Sequence, residues 1–140
     1  MPATHYLNNS MLNYEFKSNG FPYSTPPYIG LSTTLIDENG LGATEPTAPE
    51  YHRYSGSSIN WNFTMYEGAA CNTTAFSFPT CITSWGTIVE IFIADSQTSG
   101  SVLYHSKLLT SIPTYEGTKI YINPQTLIVS ERIENAEISE

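Results

Sequence analysis

The sequence predicts an all-β fold, an antiparallel β-sandwich or jelly-roll-like domain with one short N-terminal helix. Three observations carry this. Strand-forming residues are abundant, with 10 Tyr among many Thr and Ile. The 9 Pro and 9 Gly punctuate them at intervals. Only 13% of residues are charged, against the quarter or so usual for globular chains, so Ser, Thr, Asn and Tyr must cover the surface. A length of 140 residues fits a single domain with one core. We expect a helical arm over residues 1–20, a β-body over 21–130 and an acidic tail over 131–140.

The only helical pattern comes first. Leu7, Met11 and Tyr14 fall on one stripe between Tyr6 and Phe16, with Thr4 as a cap and Asn19-Gly20 before Pro22 as a stop. Strands are then expected in order at Tyr28 to Leu35, Tyr51 to Trp61, Thr73 to Phe78, Trp85 to Ala94, Gly100 to Leu108, Lys119 to Ile122 and Thr126 to Val129. In the first, Tyr28 and Ser32 share one face while Ile29, Leu31 and Thr33 share the other, and Gly30 signals a bulge or a close backbone approach. Asp37-Glu38-Asn39-Gly40 is a turn cluster, and Gly40 to Glu50 reads as loop. Thr87 to Ala94 is apolar on both faces except at Glu90, the pattern of a central strand covered on two sides.

Charge excludes several functions. Five Lys and Arg against thirteen Asp and Glu give a net −8, which leaves few cations for phosphate or an anionic membrane surface. No nucleic-acid or membrane partner is expected. Met1-Pro2-Ala3-Thr4-His5 shows no basic region followed by an apolar stretch, so neither a secretion signal nor a membrane anchor is expected.

Catalytic patterns are missing as well. His5, His52 and His105 are the only candidate bases for a nucleophile, and no Gly-x-Ser-x-Gly elbow occurs. Glu90 and Asp95 are the carboxylates of the central strand, but five positions apart they point to opposite faces, which does not suit glycoside hydrolysis. Glu90 reads as a buried, hydrogen-bonded residue or one at a subunit contact, and Asp95 as a turn residue. His-x-His pairs, Cys-x-x-Cys pairs and calcium-type carboxylate loops are absent. No catalytic, cofactor-binding or metal-ligating residues and no cofactor are expected. Cys71 and Cys81 are expected to be free thiols, because an extended Thr73–Phe78 would hold their sulfurs far beyond disulfide reach. Arg53 is expected either to pair bidentately with Glu45 or Asp95, pinning the long loop, or to remain an exposed charge. The sequons at Asn8, Asn62 and Asn72 are expected by chance in a chain so rich in Asn, Ser and Thr.

Several stretches resemble a family of small virion structural proteins of tailed bacteriophages, of the head-decoration, minor-tail or tail fibre-like kind. They are Tyr28-Ile29-Gly30-Leu31-Ser32-Thr33-Thr34, Thr44-Glu45-Pro46, Tyr51-His52-Arg53, Phe78-Pro79-Thr80, Ser84-Trp85-Gly86-Thr87, Ile93-Ala94-Asp95 and Ser99-Gly100 with Leu103. The sequence departs from the family at Cys71 and Cys81, in thinner Gly-rich segments, and in the end from Glu131. The resemblance implies a non-enzymatic virion protein, assembled in the host cytoplasm. The leading expectation is a capsid decoration or cement subunit on the outer head surface, bound to the major capsid protein and to copies of itself, with a trimer favoured. The alternatives are a tail-tip or fibre-associated subunit, or a carbohydrate-binding module using exposed Tyr or Trp61. A Tyr-rich, charge-poor surface suits protein contacts, since Tyr supplies contact area at low entropic cost.

Overall fold

In the computed structural model, residues 3–7, 27–62 and 69–130 are described. Nine strands are found among them: β1 Tyr28–Ser32, β2 Tyr54–Ser55, β3 Trp61–Asn62, β4 Ala69–Asn72, β5 Phe76–Ser77, β6 Thr87–Ala94, β7 Val102–Pro113, β8 Tyr121–Ile122 and β9 Ile128–Ser130. Every pairing is antiparallel. The strands form sheets in the orders β2-β1-β6-β7, β3-β4-β9 and β5-β8. The fold is therefore all-β and sandwich-like, with three sheets among the described residues where a jelly roll has two.

The inner face of the four-stranded sheet carries Ile29 and Leu31 from β1 and Ile91 and Ile93 from β6, and Ile88, on the far side of the irregularity at Val89, joins the same cluster. These pack with Phe76, Phe78, Ile120 and Leu127, and half-buried Trp61, Ile122 and Val129 come in from the smaller sheets. Period-two alternation places Gly30, Ser32, Glu90, Phe92 and Ala94 on the outer face. That face is covered too: Ile36 packs on Phe92 and Ala94, so β6 is buried on both sides. Gly30 lies opposite Phe92 in the register. A Cβ at Gly30 would collide with Phe92 Cζ and stand 2.8 Å from Cε2, so the glycine marks a close approach by a ring.

Local chemistry breaks the expected strands into shorter ones. The expected Thr73–Phe78 strand is shortened to Phe76–Ser77 and an unexpected one, β4, precedes it, because the buried Asn72 amide donates to Thr74 O and to Asn123 O, both at 2.9 Å, and turns the chain after β4. Its Oδ1 accepts Leu127 N–H at 2.9 Å, so Asn72 brackets two loops. The expected Tyr51–Trp61 strand is interrupted by a 3-10 turn at Gly56–Ser58, where Gly56 N–H donates to Pro27 O at 2.7 Å. The expected Gly100–Leu108 strand runs on to Pro113 and is irregular. Ile88 pairs with Ile112 and Glu90 with Lys107, so four residues, Leu108 to Ser111, stand opposite Val89 alone.

Residues 5–7 form a helical turn, and Thr4 Oγ1 caps it by accepting Leu7 N–H at 3.2 Å. The rest of the expected Tyr6–Phe16 helix lies outside the described residues, as does the acidic end from Glu131. Ala3 bridges to Tyr104, Thr4 N–H donates to Leu103 O at 2.7 Å, and Ala3 and Leu7 bury against Leu103. The start of the chain thus packs on the edge of β7.

A Gly30→Ala substitution is expected to destabilise the fold by roughly 1–3 kcal/mol through overpacking against Phe92. Urea unfolding checks it. Combined with Phe92→Leu, which clears the space, the total should be smaller than the sum of the two single effects.

Candidate functional site

The outer face of the four-stranded sheet carries the densest polar network, and Arg53 is its centre. Arg53 is only 8% exposed. It follows the long loop and donates from Nε to Glu45 Oε2 at 2.9 Å and from Nη2 to Glu45 Oε1 at 2.8 Å, a bidentate pair. Nη1 donates to the carbonyls of Ser96 and Ser99 at 2.6 and 3.0 Å, fastening the β6–β7 hairpin loop. The guanidinium stacks on Phe92 with its carbon 5.2 Å from the ring centroid. Of the partners expected from sequence, Glu45 is the one found. Asp95 instead closes its own loop by accepting Ser101 N–H at 2.8 Å.

Tyr51 links this cluster to the core. Its ring stacks on Phe78 and meets Trp85 edge-on at 5.2 Å, while its hydroxyl donates to Glu45 Oε2 at 2.7 Å and accepts Leu31 N–H at 3.0 Å. Burial pushes the phenol well above its ordinary pKa, so it remains a donor.

The other carboxylates do the same kind of work. Glu90, 3% exposed, accepts Ile36 N–H at 2.8 Å and faces His105 Nδ1 at 2.8 Å. Glu50 Oε2 accepts the Trp85 indole N–H at 2.7 Å and Ile82 N–H at 2.9 Å. Those two bonds, the Trp85 one foremost, lower its pKa. Asp37 Oδ1 accepts the N–H groups of Asn39 and Leu41, both at 2.9 Å. Sequence reading singled out Glu90 and Asp95 as structural, but Glu50's role depends on a pairing with Ile82, thirty-two positions away, that no local motif encodes.

Among the described residues, each candidate base has an ordinary structural neighbour. His5 contacts Asn39 Oδ1 at 3.2 Å and Glu38 at 3.5 Å, His52 Nδ1 lies against the Arg53 carbonyl, and His105 serves Glu90. Among the described residues, no three His, Cys, Asp or Glu side chains gather in a way that could hold a metal ion. Cys71 and Cys81 are buried and not joined to each other, and burial, then the Glu50 charge, push the Cys81 thiol up. The Asn72 sequon is buried with its amide fully engaged. Trp61 is half-buried, with its indole N–H on Gly56 O at 3.2 Å. An apolar pocket of about 330 Å³ lies beside it, lined by Pro27, Ala70, Ile93, Tyr104 and Val129. Among the described residues no helix is long and apolar enough to cross a membrane.

A family model described as podophage GP4 fiber I protein gp80 matches residues 2–130. The chain belongs to this family. The match spans nearly all of the 140 residues and therefore includes the Arg53 cluster and both faces of the sheet. Searching curated proteins gave no match. Membership in the fiber I protein family makes the chain a phage virion structural protein and supports its place in the virion. The family description names a fibre, which fits the fibre-associated alternative better than the leading expectation of a capsid decoration subunit.

Two substitutions test the network. Arg53→Ala, which leaves Glu45 without its counter-charge and two loop carbonyls without their donor, is expected to cost about 3 kcal/mol in urea unfolding, with Arg53→Lys recovering little because it lacks the fork. Glu50 binds its proton more weakly folded than unfolded. Its stabilising contribution is full above the ordinary value of 4.5 and lost as pH falls through the lowered one. Across that acidic window, Glu50→Gln should flatten the fall of the urea midpoint relative to the parent chain.

Proposed function

We propose that this chain is a non-enzymatic structural subunit of a podophage tail fibre, working through protein–protein contacts with copies of itself and with neighbouring tail proteins. The observation that carries the reading is the family match over residues 2–130. The geometry supports it. Asp37, Glu45, Glu50, Glu90 and Asp95 all accept internal hydrogen bonds, as a scaffold requires, and do not converge on a cleft. The polar residues of the outer face fix loops, which suits a structural part.

Self-association, with a trimer favoured, belongs to the same proposal, because symmetric homo-oligomers are the commonest way for a small subunit to build a larger object. The capsid-cement reading expected from sequence has less support, since the family description names a fibre and no head component.

Antibody labelling of intact virions by electron microscopy tests the proposal. Label confined to the tail is the expected result, together with a low copy number per particle. Label spread over the faces of the head would overturn it in favour of decoration.

A further inference from the structure

The β7 bulge is the feature that the body's own packing leaves unused. Leu108 to Ser111 stand opposite Val89 alone, and Leu109 within them is 106% exposed, so among the described residues nothing covers it. Lys107 opens the bulge. The described residues contain two other Lys or Arg side chains: Arg53 is paired with Glu45, and Lys119 lies over the Tyr121 ring at 5.8 Å. Lys107 is exposed and has no side-chain partner among the described residues. A bulge beside a lysine is a device that blunts a sheet edge, but blunting does not call for a fully exposed leucine at the tip.

The complementary chemistry is in the same sequence. From Glu131 to Glu140 the chain carries Glu131, Glu134, Glu137 and Glu140 against Arg132, interleaved with Ile133 and Ile138. Leucine beside a lysine on the bulge matches isoleucine among glutamates in the sequence of residues 131–140. We propose that the β7 bulge receives residues 131–140 of a second copy, giving a heterologous contact in which each subunit offers a different surface. This inference rests on the fibre reading above, since it names the self-contact that such an assembly uses. Heterologous contacts close into rings when the rotation allows, which includes a trimer. Burial of Leu109 supplies the attraction, and the charges set register and speed of encounter.

Carbodiimide cross-linking of a mixture of unlabelled and isotope-labelled protein tests the contact. Links between Lys107 and the glutamates of residues 131–140 are expected in mixed-label pairs. Leu109→Ser, a surface change that leaves the fold intact, should weaken self-association about tenfold or more by light scattering, as should removal of residues 131–140. Lys107→Glu should weaken it too, and adding Glu134→Lys should restore part of the loss. Links found only within single-label chains would overturn the contact, as would an oligomer indifferent to Leu109→Ser and to the truncation. Either result leaves tail labelling of the virion as it was, whereas label on the head faces would remove the fibre reading whatever the cross-links show.

Discussion

The Arg53–Glu45 pair is the interaction on which the outer half of the structure depends. A four-stranded sheet buried on one face by two smaller sheets still needs a cover for the other. Here the cover is mostly loop, running from Thr33 to Glu50. Loop backbone brings polar groups that must be satisfied when buried. Arg53 meets that demand for the hairpin loop by donating to Ser96 O and Ser99 O, and its flat guanidinium lies on Phe92. Glu45 balances the buried charge and, through Tyr51, ties the long loop to the β1 backbone at Leu31. Removing one member leaves the next with part of its hydrogen bonding unmet, so the members are coupled.

The same logic explains where the acidic side chains of the described residues stand. Short strands leave many loop N–H groups without ladder partners, and a carboxylate can accept two of them at once. Asp37 takes two backbone N–H groups, Glu50 takes one backbone and one indole N–H, and Glu90 takes one backbone N–H beside an imidazole. These carboxylates stand where loops cross the sheet or close turns. Their distribution follows the loops.

Much of this was legible in sequence, and the limits have physical causes. The two-sided burial of β6 followed from an unbroken apolar run with one Glu, and the close approach at Gly30 was one of the two readings of a glycine inside a strand, the other being a bulge. The bidentate partner of Arg53 was narrowed to two acids, and packing chose Glu45. Strand ends were less legible, because what stopped them was a tertiary bond. Asn72 ends β4 by reaching Asn123 O, fifty-one positions on, and no local propensity reports such a partner. Thr114, 2% exposed, was equally hidden. Its hydroxyl accepts Trp85 N–H at 2.7 Å and donates to Gly86 O at 2.6 Å, across a gap of twenty-nine positions from Trp85. The choice between head and fibre could not come from composition, since a charge-poor, tyrosine-rich surface suits either.

The placement of charge bears on how such a subunit associates. Once Arg53, Glu45, Glu50, Glu90, Asp37 and Asp95 are engaged internally, few ionic groups of the described body remain to govern encounter with another protein. Surface ion pairs contribute little on their own and are screened beyond about 8 Å at physiological salt. A body of this kind therefore associates through shape and apolar area, with the few exposed charges deciding orientation more than affinity. Lys107 beside Leu109 is one such point, and the glutamates after Ser130 are its natural complement. The carboxylates of the described body thus go largely into building the fold, and the contact proposed above draws on glutamates outside it.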